Sequence, residues 1–308
     1  MLPRSAASTK SMPRLWPALK RAATEFRDDN LTDWAAALTY YGLLSLFPGL
    51  VALISIVGLI GDPKGATETI TEIVTAIGPE SAAETFAGPI ESVASSQGTA
   101  GTAFVLGLAV ALWSASGYVG AFIRASNVIY ETREGRPFWK LRPLQIAITL
   151  IMVILGVLLV LGLVLTGPVV DAVAEPLGIG STAVAVWNVA KWPAMAALFV
   201  LMVSVLYYAS PNVKIRGFRW VTPGSLVAIV VWAVASAVFA IYVANFGSYD
   251  KVYGTLGGLV ALLIWLWISN LAILFGHELN AELERVAEIE EGQPEAKREI
   301  QLEPRAEP

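Results

Sequence analysis

Six stretches of this chain run without a single charged residue: Trp34–Gly61, Ser92–Ile123, Pro143–Val170, Trp192–Val213, Trp220–Tyr249 and Val252–Gly276. About 20 mostly apolar residues carry a helix through a bilayer. Each stretch holds one such helix and none holds two. Membrane strands need only about 10 residues and alternate inward and outward character, whereas runs such as Ile151–Leu165 are apolar on every side. The pattern therefore predicts an all-α polytopic membrane protein of six transmembrane helices plus short amphipathic helices. Composition agrees: 56% of residues are hydrophobic and 15% charged, against roughly 25% charged in soluble domains.

Basic residues set the expected orientation, because they concentrate on the cytoplasmic side. Six precede the first span, five (Arg124 to Arg142) join the second to the third, three join the fourth to the fifth and four follow the sixth; the other side has Lys64, Lys191 and Lys251. Both termini are expected inside. Three regions follow: 1–33, a cytoplasmic N-terminal segment with an interfacial helix and no cleaved signal; 34–283, the transmembrane domain; and 284–308, a disordered acidic cytoplasmic tail, rich in Glu and Pro and poor in apolar anchors. The interfacial helix is expected from the stripe Leu15, Leu19, Ala22 and Phe26 beside Lys20 and Arg21. In the acidic loop Asp62–Glu91, Ile70, Ile73, Val74 and Ile77 have amphipathic-helix spacing, and Ser81 to Glu84 reads as a capping box for another helix. Pro176–Ala190 reads as an external loop leading into the fourth span, with a re-entrant element as the alternative.

Several chemistries are excluded. The chain has no Cys and one His, His277, so thiolate sites and His-pair metal centres have no ligands. No glycine-rich phosphate loop precedes a Lys-Ser/Thr pair. A net charge of −4 argues against a nucleic-acid partner. No enzyme, cofactor or metal is expected.

Polar and aromatic residues inside the spans are the remaining signal. Tyr41, Ser45 and Pro48 recur at i, i+4, i+7 on one face of the first span, which suits either a kinked helix contact or the wall of a polar groove. Trp113 and Ser114 lie in the second span before the small pair Gly117 and Ala121, which permits close helix contact. Asn127 follows, ahead of a basic, aromatic border that is either an ordinary positive-inside edge or a headgroup site. Tyr242, Asn245 and Tyr249 close the fifth span, with a solvated turn at Asp250 and Lys251 after it, and Asn270 sits within the sixth. His277 and Glu278 fall at the expected cytoplasmic border, as anchors or as proton carriers. Tyr41, Ser45, Pro48, Trp113, Ser114, Asn127, Tyr242, Asn245, Tyr249, Asn270 and Glu278 form the candidate substrate pathway.

The string Ala35-Ala36-Ala37-Leu38-Thr39-Tyr40-Tyr41 with Ser45-Leu46-Phe47-Pro48 resembles the opening signature of the YihY/BrkB family of bacterial inner-membrane proteins. The likeness continues through Trp113-Ser114, Asn127 to Glu131, Phe138-Trp139-Lys140, Pro211-Asn212, Pro223-Gly224, Tyr253-Gly254 and Gly276-His277-Glu278-Leu279-Asn280-Ala281. His277 departs from it, since a small residue more often precedes the Glu. The resemblance implies six spans with cytoplasmic ends. It also brings an old ribonuclease label, a virulence label and an association with envelope lipids. The expected function is a transporter or lipid-translocating protein, with membrane lipids as partners. The alternative is a non-transporting envelope scaffold with protein partners; a membrane nuclease is disfavoured. Small-residue faces permit a homo-oligomer without requiring one.

Overall fold

The computed structural model describes residues 15–60, 101–164, 181–245 and 255–307. Among these residues seven α-helices run in order: α1 Leu15–Asp28, α2 Leu31–Ile60, α3 Gly101–Ile129, α4 Phe138–Val164, α5 Ser181–Ala209, α6 Pro223–Asn245 and α7 Thr255–Glu290, followed by a 3-10 turn at Pro294–Lys297. Among the described residues the only β pairing is one bridge between Val213 and Pro304. Helices α2 to α7 fall one on each charge-free window, and α3 to α7 each hold a described stretch long and apolar enough to cross a membrane. The chain is an all-α multi-pass membrane protein. The loop 62–91, with its two expected helices, and the turn at Asp250 lie outside the described residues.

Contacts close a circuit: α2 packs on α3 and α7, α3 on α4, α4 on α5, α5 on α6, and α6 on α7. The interior gathers Leu31, Leu38, Phe122, Ile129, Ile148, Leu206, Tyr207 and Leu274, with α1 and the C-terminal segment packed at the same end. The outer surface is apolar. Leu226, Val230, Val234 and Val238 of α6 are exposed at four-residue spacing, a stripe facing away from the bundle. Exposed apolar area on this scale belongs in lipid rather than water. Local chemistry sets the start of α6, where Thr222 and Ser225 exchange reciprocal bonds (Thr222 N to Ser225 Oγ 3.0 Å, Ser225 N to Thr222 Oγ1 3.1 Å). Pro223 fills the first turn, where a missing N–H costs nothing. One further glycine pair brings α6 and α7 together: a Cβ on Gly224 would lie 1.9 Å from the Gly276 carbonyl oxygen.

Three expectations need correction. Ser181–Ala190 is neither loop nor re-entrant element but the first turns of α5. Lys191 marked a border in the sequence, yet it is buried and lies over the Trp192 ring, so the helix runs through the charge. The segment 284–308 is not a disordered tail through Glu307. Helix α7 continues to Glu290, Ala296 and Ile300 are buried, and the segment then crosses the end of the bundle. Helix α1 exists, but Ala18 and Ala22 face Leu279 and Leu283 of α7, and Phe26 meets Phe275 edge-on at 5.9 Å. A helix of 36 residues rises about 54 Å, well beyond a hydrocarbon core of about 30 Å. The overhang of α7 gives both terminal segments a surface to dock on.

Candidate functional site

Polar groups line the inward side of α7. Asn270 is buried between neighbours: its Oδ1 accepts from Tyr118 Oη of α3 (2.8 Å), and its Nδ2 donates to Thr39 Oγ1 of α2 (3.2 Å). One turn on, Tyr207 Oη of α5 donates to the Ile273 carbonyl. His277 is 0% exposed, with Nε2 2.9 Å from Ser126 Oγ. Its ring stacks on Tyr207 at 4.5 Å and Phe122 at 5.5 Å, and its Nδ1 has no hydrogen-bond partner among the described residues. Glu278 is 1% exposed, and its buried Oε2 has no partner among the described residues either. Both residues are thus buried within the protein rather than exposed at its surface.

Beyond Glu278 the seam becomes ionic. Glu282 accepts from Arg21 Nε of α1 and from Arg285 Nε, each at 2.7 Å. Arg285 also reaches Glu131 at 3.0 Å. Glu131 ends α3 with φ 50°, a left-handed conformation that costs a non-glycine residue energy, and its other oxygen accepts the Ile300 amide at 2.7 Å. Nearby, partial burial raises the Asp29 carboxyl to about 6, helped by the charges of Glu25 and Glu131. At Glu134 burial opposes ionisation, but the Arg136 side chain and amide and the Asn127 side chain outweigh it, so its carboxyl stays below the usual range.

Asn212 organises the C-terminal segment. Its amide N–H donates to Asn127 Oδ1 at 2.8 Å; its Nδ2 donates to the Arg133 and Ala306 carbonyls, and its Oδ1 accepts the Ala306 amide at 3.1 Å. Arg305 caps the end of α5, donating to the carbonyls of Tyr208 (2.6 Å) and Val213 (2.8 Å). These bonds satisfy helix-end carbonyls that would otherwise be orphaned.

The eleven pathway residues do not form one site. Asn270 and Glu278 belong to the α7 seam. Asn127 is structural, holding Asn212 and Glu134. Tyr41, Ser45 and Pro48 are half-buried on α2; Trp113 and Ser114 are exposed on α3. Tyr242 is 46% exposed on the outer face of α6. The side chain of Asn245 and all of Tyr249 lie outside the described residues. Tyr118, Ser126, Glu282 and Arg285 of the seam were not singled out from the sequence, and Thr39 was noted there only as part of a string, without a place in the pathway. Their signal was present in α7, where Asn270 and His277, and Glu278 and Arg285, are each seven residues apart and so share a face.

The strings quoted from the sequence thus converge in space: Asn127 to Glu131 of α3, Asn212, Thr222 to Gly224 and Gly276 to Asn280 all meet at one end of the bundle, where Asn280 bridges the Gly224 amide (2.9 Å) and Thr222 Oγ1 (3.0 Å). The sequence profile described as Virulence factor BrkB matches residues 22–300, which contain all of them. The chain belongs to the BrkB family. Among relatives, it is 29% identical over 261 residues to "Putative ribonuclease-like protein YfkH" of Bacillus subtilis, covering 84% of this chain and 92% of the relative. It is 26% identical over 258 residues to a UPF0761 membrane protein of Alteromonas mediterranea (83% and 84%), and 27% identical over 265 residues to one of Aeromonas salmonicida (84% and 86%). No solved structure matches. The BrkB match stops at Ile300, so the Asn212 clamp holds a segment that lies beyond it.

Proposed function

We propose that this BrkB-family protein is a transporter or lipid-translocating protein of the bacterial inner membrane, with both termini in the cytoplasm. The observation that supports this most is the α7 seam, and above all Glu278, buried with an unpartnered carboxylate oxygen. Polar and ionisable groups inside a membrane domain are costly, and they mark pathways for solutes, ions or protons more often than packing. A static scaffold gains nothing from an unsatisfied buried carboxylate, whereas a protein that cycles between states uses a group whose partner changes. Orientation rests on the basic residues gathered at the end that carries α1 and the C-terminal segment.

The ribonuclease-like wording attached to the Bacillus subtilis relative is not adopted. Among the described residues no three His, Asp or Glu side chains gather as a metal site, and the seam is closed in by α2, α3 and α5. The test is reconstitution: purified protein speeds transbilayer movement of a labelled lipid or solute, and Tyr41→Ala or Asn270→Ala slows it. Rates equal to protein-free liposomes would remove the proposal. The scaffold alternative would be favoured instead if Ile73 and Val74 changed to polar residues abolished co-purification of an envelope partner.

A further inference from the structure

We propose that the outer face shared by α2, α3 and α4 binds the phosphate of an anionic lipid headgroup between Arg124 and Arg142. Trp113, Gly117, Gly120 and Arg124 fall within about 60° of one another around α3, at about 100° per residue. Tyr41 of α2 packs on this face, its Cδ1 3.9 Å from where a Gly117 Cβ would stand. The Arg124 guanidinium lies over the Tyr41 ring, 5.4 Å from its centroid. From the other side, the Arg142 guanidinium of α4 lies 4.0 Å from the centroid of Trp113. Its Nη2 donates to the Trp113 carbonyl at 2.7 Å and its Nη1 to Gln145 at 2.9 Å. Trp113 and Gly117 are one turn apart on α3, about 6 Å of helix rise, so both guanidinium-bearing rings pack along the same stretch of that helix.

Both arginines fall near the ends of helices long and apolar enough to cross a membrane, within Leu108–Ile129 and Phe138–Gly162, and a cation against such apolar surface is costly unless paired. Arg21, Arg136, Arg216 and Arg285 each have a carboxylate partner. Among the described residues, Arg124 and Arg142 have none. Aromatic faces offset part of a guanidinium's charge without neutralising it; Nη1 and Nη2 of Arg142 each make one of the bonds above and keep a second N–H, and its buried Nε has no hydrogen-bond partner among the described residues. A guanidinium fork matches phosphate oxygens in geometry and charge. The surroundings select a lipid over a soluble phosphate: Trp113, Tyr40, Leu44 and Val110 are all exposed around the pair, offering apolar surface to acyl chains. The proposal deepens the transport reading by naming the charge of its substrate class, and as a substrate site it rests on that reading.

The experiment is native mass spectrometry of the full chain in detergent, with phosphatidylglycerol or phosphatidylcholine added at equal concentration and inorganic phosphate as competitor. The wild type retains phosphatidylglycerol and releases phosphatidylcholine. The Arg124→Gln/Arg142→Gln pair retains roughly tenfold less phosphatidylglycerol, Arg124→Lys/Arg142→Lys keeps more than the glutamine pair, and Arg298→Gln on a distant exposed site is unchanged. Equal retention of the two lipids by the wild type overturns the proposal without any variant. So does a folded glutamine pair that binds like the wild type. Displacement of the lipid by inorganic phosphate overturns the lipid source. Flux without lipid retention refutes this site alone; retention without flux refutes the transport reading alone.

Discussion

Replacing Gly276 by Ala tests the packing that holds the seam in place. A Cβ there would stand 2.3 Å from the Gly224 carbonyl oxygen and 2.7 Å from both the Ala228 Cβ and the Tyr207 hydroxyl. Normal contact is about 3.5 Å, so α6 must move off α7 by roughly 1 Å at this crossing. Backbone on the far side cannot rotate away. The same shift stretches the Asn280 bonds to the Gly224 amide and Thr222, now 2.9 and 3.0 Å, beyond useful length. Overpacking costs about 1–3 kcal/mol, and two neutral hydrogen bonds add about 1 kcal/mol each. The helix-propensity gain of Ala over Gly returns about 1 kcal/mol, leaving a loss of roughly 2–4 kcal/mol. Thermal unfolding in detergent, followed by tryptophan fluorescence, should show a midpoint lowered by about 5–10 °C. Gly42→Ala is the control, because its nearest contact is the Tyr118 ring at 3.6 Å, ordinary packing, and it should be neutral or slightly stabilising. A Gly276→Ala midpoint within about 2 °C of wild type, or a larger loss at Gly42, would refute the reasoning.

Other perturbations probe the terminal end. Asp29, raised to about 6 by partial burial, favours its protonated form in the fold. Its contribution is fully present below about pH 4 and lost as pH rises through about 6. Asp29→Asn should therefore raise the unfolding midpoint at pH 7.5 by an amount worth about 1 kcal/mol after solvent screening, and the gain should vanish at pH 4. Arg285→Gln removes the Glu131 pair and leaves the buried Glu282 carboxylate with Arg21 alone, and should cost about 2–3 kcal/mol, read from the same unfolding curves. Asn212→Ala removes both side-chain bonds to Ala306. Hydrogen exchange should then show lost protection at residues 303–306 and at the end of α5, with the middle of α3 unchanged.

How legible the molecule was depends on which signal carried each feature. The number of long helices followed from charge-free windows, because a spanning helix excludes charge over a known length. Boundaries failed where a charge did not end a helix. Lys191 is buried within α5, and α7 runs through the charged stretch from Glu282 to Glu290. The C-terminal segment looked unanchored because its anchors are distant in sequence: Asn212, Glu131 and the Lys214 amide hold a backbone whose own side chains are mostly polar. Asn270 was found from sequence because an amide inside an apolar span needs a partner. That the partners are Tyr118 and Thr39 could not be read, since a single sequence does not state which faces meet. Arg124 was counted only as a positive-inside charge and Arg142 as part of a basic border open to a headgroup, and their aromatic seats emerge only once α2, α3 and α4 are packed.

The most direct test of the account is transbilayer movement of fluorescent phosphatidylglycerol in proteoliposomes, comparing wild type, Asn270→Ala and Glu278→Gln. Each variant should keep a wild-type-like fluorescence spectrum, since neither touches the Gly224–Gly276 contact. The account predicts movement well above protein-free vesicles for the wild type and a clear fall in both variants, with the Glu278→Gln rate also losing its dependence on pH. Movement no faster than in empty vesicles, or equal rates in all three folded proteins, would contradict it.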